Sequence, residues 1–190
     1  MSIKTLGINV RQVDTTAKHE LGMEVSDVEG GEGTVTKTYY PNGITSLTTE
    51  TLYKSGSKKY RYVRADAAIA QYDACKMKLD ESDAPNAVVK TSATTDLVAG
   101  ICEVSGVAQD YYFWLTIHGY VPVANVEDAS AQGDVLGAGS TAGRLTTPTF
   151  TTTAATLAQL NAGVRAAMSG IVAVTDGDSN NRAGVFLIGN

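Results

Sequence analysis

The chain has 190 residues, of which 43% are hydrophobic and only 18% charged, with a formal net charge of −5. Sparse Lys and Glu beside abundant Thr, Ala and Gly argue against a helical bundle. The acidic balance argues against nucleic acid as the main partner, because neutralising phosphates needs clustered Lys and Arg. No apolar run is long enough for a transmembrane helix, so no membrane partner is expected. Met1–Val10 lacks an apolar leader core, so synthesis in a cytoplasm is expected.

Residues 1–33 carry few bulky side chains and no sustained period. They read as an extended arm, with an acidic, flexible Glu29-Gly30-Gly31-Glu32-Gly33 at its end. Two β-like pieces, Thr34–Tyr40 and Thr45–Tyr53, flank Pro41-Asn42-Gly43. Asn-Gly accepts the positive φ of tight turns, so a hairpin is predicted over residues 34–57. Such an arm could add a strand to a partner's sheet edge. The other reading is an ordinary edge of the same β domain. The organisation expected is therefore an arm and hairpin over 1–57 and a β-barrel or sandwich over 58–190.

Lys58 to Leu79 reads as two strands around a small-residue corner at Ala65–Gln71. In the first, Tyr60 and Tyr62 interleave with a basic set: Lys54, Lys58, Lys59, Arg61 and Arg64. In the second, Tyr72–Leu79, parity sends Cys75, Met77 and Leu79 inward and Lys76 and Lys78 outward. Residues 80–96 read as a loop with a short strand at Ala87–Lys90, and Asp96–Val107 as a buried strand near a bend. Tyr111 to Ile117 is bulky on both parities: Tyr111, Phe113, Leu115 and Ile117 on one, Tyr112 and Trp114 on the other. A strand apolar on both faces is central or lies at an interface. Gly119 follows, and Pro122, which lacks an N–H, suggests an edge or a bend.

The glycine-punctuated GDVLGAGSTAGRL reads as a strand pair. A Thr-rich loop leads into a short helix with Leu157 and Leu160 at i, i+3, ending at Gly163. Val164–Thr175 and Gly184–Gly189 are predicted strands around a turn at Asp176–Asn181. The fold expected is mainly β: a small β-barrel or β-sandwich with one short helix and an extended N-terminal arm.

The order of pieces is an aromatic-Trp strand ending in glycine (YYFWLTIHGY), V-x-V, A-x-A-Q-G-D-x-L, a small-residue turn closing on G-R-L, then GIVAVTD and AGVFLIGN. That order resembles the capsid decoration (cement) proteins of tailed bacteriophages. Upstream the resemblance extends to Tyr60-Arg61-Tyr62-Val63-Arg64-Ala65 and covers about two thirds of the chain; residues 39–57 do not fit it. It implies a non-enzymatic structural virion protein on the capsid exterior, made in the bacterial host cytoplasm. Its partners would be the major capsid protein and, in a homotrimer, its own copies. No cofactor is implied. Lys58, Lys59, Arg61 and Arg64 are the capsid-contact candidates, beside the arm; Tyr111, Tyr112, Phe113 and Trp114 are core or trimer-contact candidates. A different class, a receptor- or glycan-binding β module of a fibre or tail, would use exposed Tyr and Trp.

No catalytic set is assembled by the sequence. His19 and His118 lie far apart, no G-x-S-x-G elbow occurs, and the pairs Asp80-Glu81 and Glu127-Asp128 sit in polar loops. Asp176, Asp178 and Asn180 begin like a calcium loop, but Asn181 and Leu187 replace its glycine and glutamate, so a hairpin turn and no metal is expected. GAGSTAG, from Gly137 to Gly143, lacks the Lys-Ser/Thr of a phosphate loop and reads as a turn. Cys75 and Cys102 lack metal spacing; a buried free thiol is expected at Cys75, with a bridge between the two left open.

Overall fold

The computed structural model describes residues 8–27, 32–39, 46–53, 58–79, 86–127, 130–148, 157–175 and 177–188. The strands are β1 (Glu24–Asp27), β2 (Glu32–Tyr39), β3 (Ser46–Tyr53), β4 (Lys58–Ala65), β5 (Ala74–Met77), β6 (Ala87–Lys90), β7 (Gly100–Ile101), β8 (Tyr112–Asn125), β9 (Val135–Ala138), β10 (Leu145–Thr146), β11 (Ile171–Ala173) and β12 (Arg182–Leu187). The helix α1 is Leu157–Ser169. The fold is mainly β with one short helix, as the composition implies.

β8 is the spine. Its first half pairs antiparallel with β4, from Arg64 opposite Tyr112 to Lys59 opposite His118, and Thr116 also meets Ile101 of β7. Strands β4, β6, β5, β7 and β8 follow one another, and β8 returns to β4, so five strands close a ring. Gly119, at φ +100°, breaks the run where few residues other than glycine can. Beyond it β8 pairs with β12, then β11, β9 and β10 follow. A parallel bridge from Val126 to Leu145 brings β10 back to the end of β8. Two rings therefore share one strand, and closure removes the exposed ladder edges that an open sheet would present.

Side-chain alternation lets β8 serve three clusters. Phe113 and Leu115 enter the first ring with Val63, Ala65, Cys75, Val88 and Cys102. Trp114 points the other way, onto Val25, Tyr60 and Tyr62. Val121, Ala124 and Val126 fill the second ring with Leu136, Leu145, Ile171, Val185 and Leu187. Pro122 is exposed within β8, where the register with β12 shifts between Ala183 and Val185, so its missing N–H falls at an irregularity.

Residues 8–27 are laid over the Trp114 cluster. Ile8, Val10 and Leu21 pack on it, Asp14 bridges Tyr112, and β1 pairs with β4. Asp14 is buried and held by three groups: the Tyr62 hydroxyl donates to it at 3.1 Å, the Gln12 amide at 2.9 Å, and the Lys18 ammonium at 2.7 Å. This stretch of the expected arm thus lies along its own chain, and pairing crosses the boundary drawn at residue 57. The hairpin is present: β2 and β3 pair from Glu32–Tyr53 to Tyr39–Ser46 as a separate two-stranded sheet. The Pro41-Asn42-Gly43 turn and residues 1–7 and 28–31 lie outside the described residues.

Three local expectations are corrected. Leu79 is 77% exposed rather than inward, because β5 ends at Met77 and the parity argument lapses with the strand. Tyr72 takes a positive φ of 74°, so that strand also starts later. The helix does not stop at Gly163: it runs to Ser169 and ends at Gly170, φ +59°, so Val164–Ser169 is helical and only Ile171–Ala173 is strand. Ala166 and Ala167 favour helix, and Ala166 fits against Gly137 of β9. Lastly, Asp96–Val107 contributes only the two-residue β7.

A Cβ on Gly137 would lie 2.8 Å from that of Ala166. Gly137→Ala should therefore cost about 1–3 kcal/mol by overpacking, read as a lower urea midpoint with an unchanged slope.

Candidate functional site

The basic strand is neutralised from within. Lys58 donates to both oxygens of Glu103 at 2.8 and 2.9 Å, and the Thr116 hydroxyl donates to the same carboxylate at 2.6 Å. Arg61 grips Glu24 of β1, at 2.5 Å for its closest nitrogen. Arg64 lies 3.1 Å from Asp110 and 3.8 Å from Asp66. Lys59 is exposed and has no acidic partner among the described residues. Lys54 lies outside them. Of the four capsid-contact candidates, Lys59 alone has no acidic partner among the described residues.

The aromatic candidates divide. Phe113 and Trp114 are core, fully enclosed by this chain; Tyr111 and Tyr112 are half-buried. Trp114 and Tyr62 sit opposite each other on neighbouring strands, ring centroids 5.0 Å apart, and the His19 ring lies 5.2 Å from Trp114. Burial raises the Tyr62 hydroxyl above its ordinary range, with Asp14 adding to that and the Lys18 N–H opposing it.

A groove missed by sequence reasoning lies beside α1. It encloses about 750 Å³ and is floored by Met77, Val89, Val98, Ala99, Ile117 and Leu187. Arg61, Lys76, Lys78 and Arg165 line its rim. Lys76 pairs with Asp96 at 2.9 Å and Lys78 with Asp66 at 2.6 Å. Burial acts to raise the Asp96 carboxyl, but the Ser92 N–H, the Lys76 ammonium and the Ala93 N–H outweigh it and hold the carboxyl below its usual range. Arg165 is exposed and has no acidic partner among the described residues. No local motif marks this groove: its lining comes from five strands, the loop before β7 and the helix, and only closure of the rings gathers them.

The Asp178 carboxylate accepts the N–H groups of Asn180 and Arg182, each at 2.9 Å, which builds a turn; Asp176, Asp128 and the pair Asp80-Glu81 lie outside the described residues. Among the described residues no cluster of His, Cys, Asp and Glu could hold a metal ion, and no helix is long and apolar enough to cross a membrane. The GAGSTAG turn closes on Glu127, which accepts the Ser140 hydroxyl at 3.0 Å and the Thr141 N–H. His118 is tied by Nδ1 to the Ile188 carbonyl at 2.7 Å. Cys75 and Cys102 are both free and buried. Burial pushes Cys75 well above the ordinary thiol range, with Cys102 and Asp73 adding to it, and pushes Cys102 up to about 12.

Comparison with known protein families, with curated proteins and with solved structures finds no match for this chain.

Two measurements follow from this geometry. Lys58→Ala strands the Glu103 carboxylate and should cost about 1–2 kcal/mol, whereas Lys59→Ala should stay within about 0.5 kcal/mol; thermal melts of both variants test this. Thiolate is the reactive form of cysteine, so at pH 9 neither native thiol should react with an aromatic disulfide reagent. Both should react within seconds once the chain is unfolded in guanidinium, and fast labelling of the native protein would contradict the burial of the pair.

Proposed function

We propose that this chain is a capsid decoration protein: it binds the outer surface of an icosahedral phage shell and stabilises it by bridging major capsid protein subunits. The observation that carries this reading is how the resembling segments meet. YYFWLTIHGY from its second residue, Tyr112, and the V-x-V that follows lie in β8, G-D-x-L leads into β9, G-R-L enters β10, and the two C-terminal pieces supply β11 and β12. These segments lie apart in sequence yet become neighbours around the second ring. The upstream piece, Tyr60–Ala65, lies in β4 and pairs with β8 as well. The resemblance therefore concerns one assembled body rather than scattered similarity.

Such a chain acts mechanically. Binding only the assembled shell stabilises that state by mass action. Copies joined in a homotrimer gain further from effective concentration, because one bound copy holds the others near their sites. The work needs no cofactor and no catalytic group, and its place is the capsid exterior. A glycan-binding role on a fibre or tail has less support: it calls for exposed aromatic platforms, and Trp114 is 1% exposed beneath residues 8–27.

The test is stoichiometric. Quantitative mass spectrometry of purified particles from the source should find this chain near a one-to-one ratio with the major capsid protein. A few copies per particle would move the reading to a fibre or tail part, and absence from particles would overturn it.

A further inference from the structure

A second cavity, of about 320 Å³, is lined by Val10 and Arg11 on one strand-crossing segment and by the start of β4. Small-ligand pockets begin at about this size, roughly 300 Å³. Tyr60, Tyr72 and Trp114 all line it; Tyr72 is half-buried and the other two are buried. Tyr72 is held at φ +74°, in the left-handed region that a bulky residue rarely adopts. Two hydrogen bonds keep it there: its N–H donates to the Cys102 carbonyl at 2.6 Å, and its carbonyl accepts the Asn125 N–H at 3.1 Å. Glycine or asparagine would meet that backbone with less strain. Strain of this kind gathers at ligand clamps. What tyrosine adds is its ring, and the Arg182 guanidinium sits over that ring, 5.7 Å from its centroid.

The polar lining says what fits there. Glu103 accepts from Lys58 at 2.8 and 2.9 Å and from the Thr116 hydroxyl at 2.6 Å. That pair therefore offers hydrogen bonds rather than a bare ion, which favours a neutral ligand. The Gln71 side-chain amide donates to the Glu103 carbonyl at 3.0 Å, which fixes it beside the pair. Arg11, exposed at the cavity, brings further N–H donors. A small molecule with an apolar C–H face and a hydroxylated rim suits this mixture of aromatic rings and hydrogen-bonding groups. We propose that the cavity is a binding site for one neutral sugar ring, with Tyr72 as its clamp. It is a recess for a single ring, not the exposed aromatic platform that a fibre or tail role would use. It stands apart from the decoration reading, and either can fail without the other.

The probes are methyl glycosides of glucose, galactose, mannose and N-acetylglucosamine. Saturation-transfer NMR reads contact directly. Emission of Trp114, the single tryptophan of the chain, reads the cavity itself. At least one glycoside should bind by both readouts, in the millimolar range ordinary for so few atoms. Tyr72→Asn, which suits the backbone but removes the ring, should weaken binding about tenfold with little change in melting temperature. Gln71→Ala, at an exposed position, should also weaken it about tenfold, the worth of one hydrogen bond. Leu160→Gln, on the exposed side of α1, should change neither binding nor emission. No binding by any glycoside overturns the proposal, as does equal binding in all variants. If Tyr72→Asn fails to fold, unchanged binding in Gln71→Ala overturns it alone. Binding of inorganic phosphate or benzoate, with no glycoside bound, would give the cavity to an anion and overturn the sugar.

Discussion

Everything in this molecule hangs on β8 having two registers. Up to His118 its backbone ladder belongs to β4; from Gly119 onward it belongs to β12. A single strand can join two rings only if it changes neighbours without losing its hydrogen bonds for long. Gly119 supplies the turn in backbone direction, and the irregularity opposite Pro122 absorbs the mismatch. The aromatic run is the side-chain counterpart of that constraint. Phe113 and Trp114 point to opposite faces, and each finds a separate cluster, so the strand is desolvated on both sides.

The N-terminal segment is drawn in by the same strand. Trp114 and Tyr62 make a broad apolar patch on the outside of the first ring. Residues 8–27 cover it and buried Asp14 fastens them by accepting from Tyr62, Gln12 and Lys18. A buried carboxylate without donors would be costly, so three donors make the strap specific as well as tolerable. The chain's own arm thus occupies the aromatic face that a trimer partner or a sugar would need. Similarly, Glu103, Glu24 and Asp110 answer Lys58, Arg61 and Arg64 and leave the basic strand nearly neutral. Trp114 is thereby covered and three cations of the basic strand are paired, while α1 turns Leu160, Val164 and Met168 outward.

The sequence by itself determined the β content, the central place of Tyr111–Ile117, the hairpin of β2 and β3, and a turn at Asp178–Asn181. Those properties follow from composition, period and turn chemistry, which act over a few residues. It also anticipated that Cys75 is a buried free thiol. Where two local signals competed, sequence alone chose wrongly: Gly163 reads as a helix stop, yet the fit of Ala166 against Gly137 carries the helix on to Gly170. Only the tertiary structure decided that two rings close on β8, that Trp114 is covered, that the basic strand is answered by acids as many as 46 residues away, and that a groove forms beside the helix. Each of these depends on which distant residues become neighbours, and pairing between segments far apart in the chain leaves no mark in the local pattern of either one.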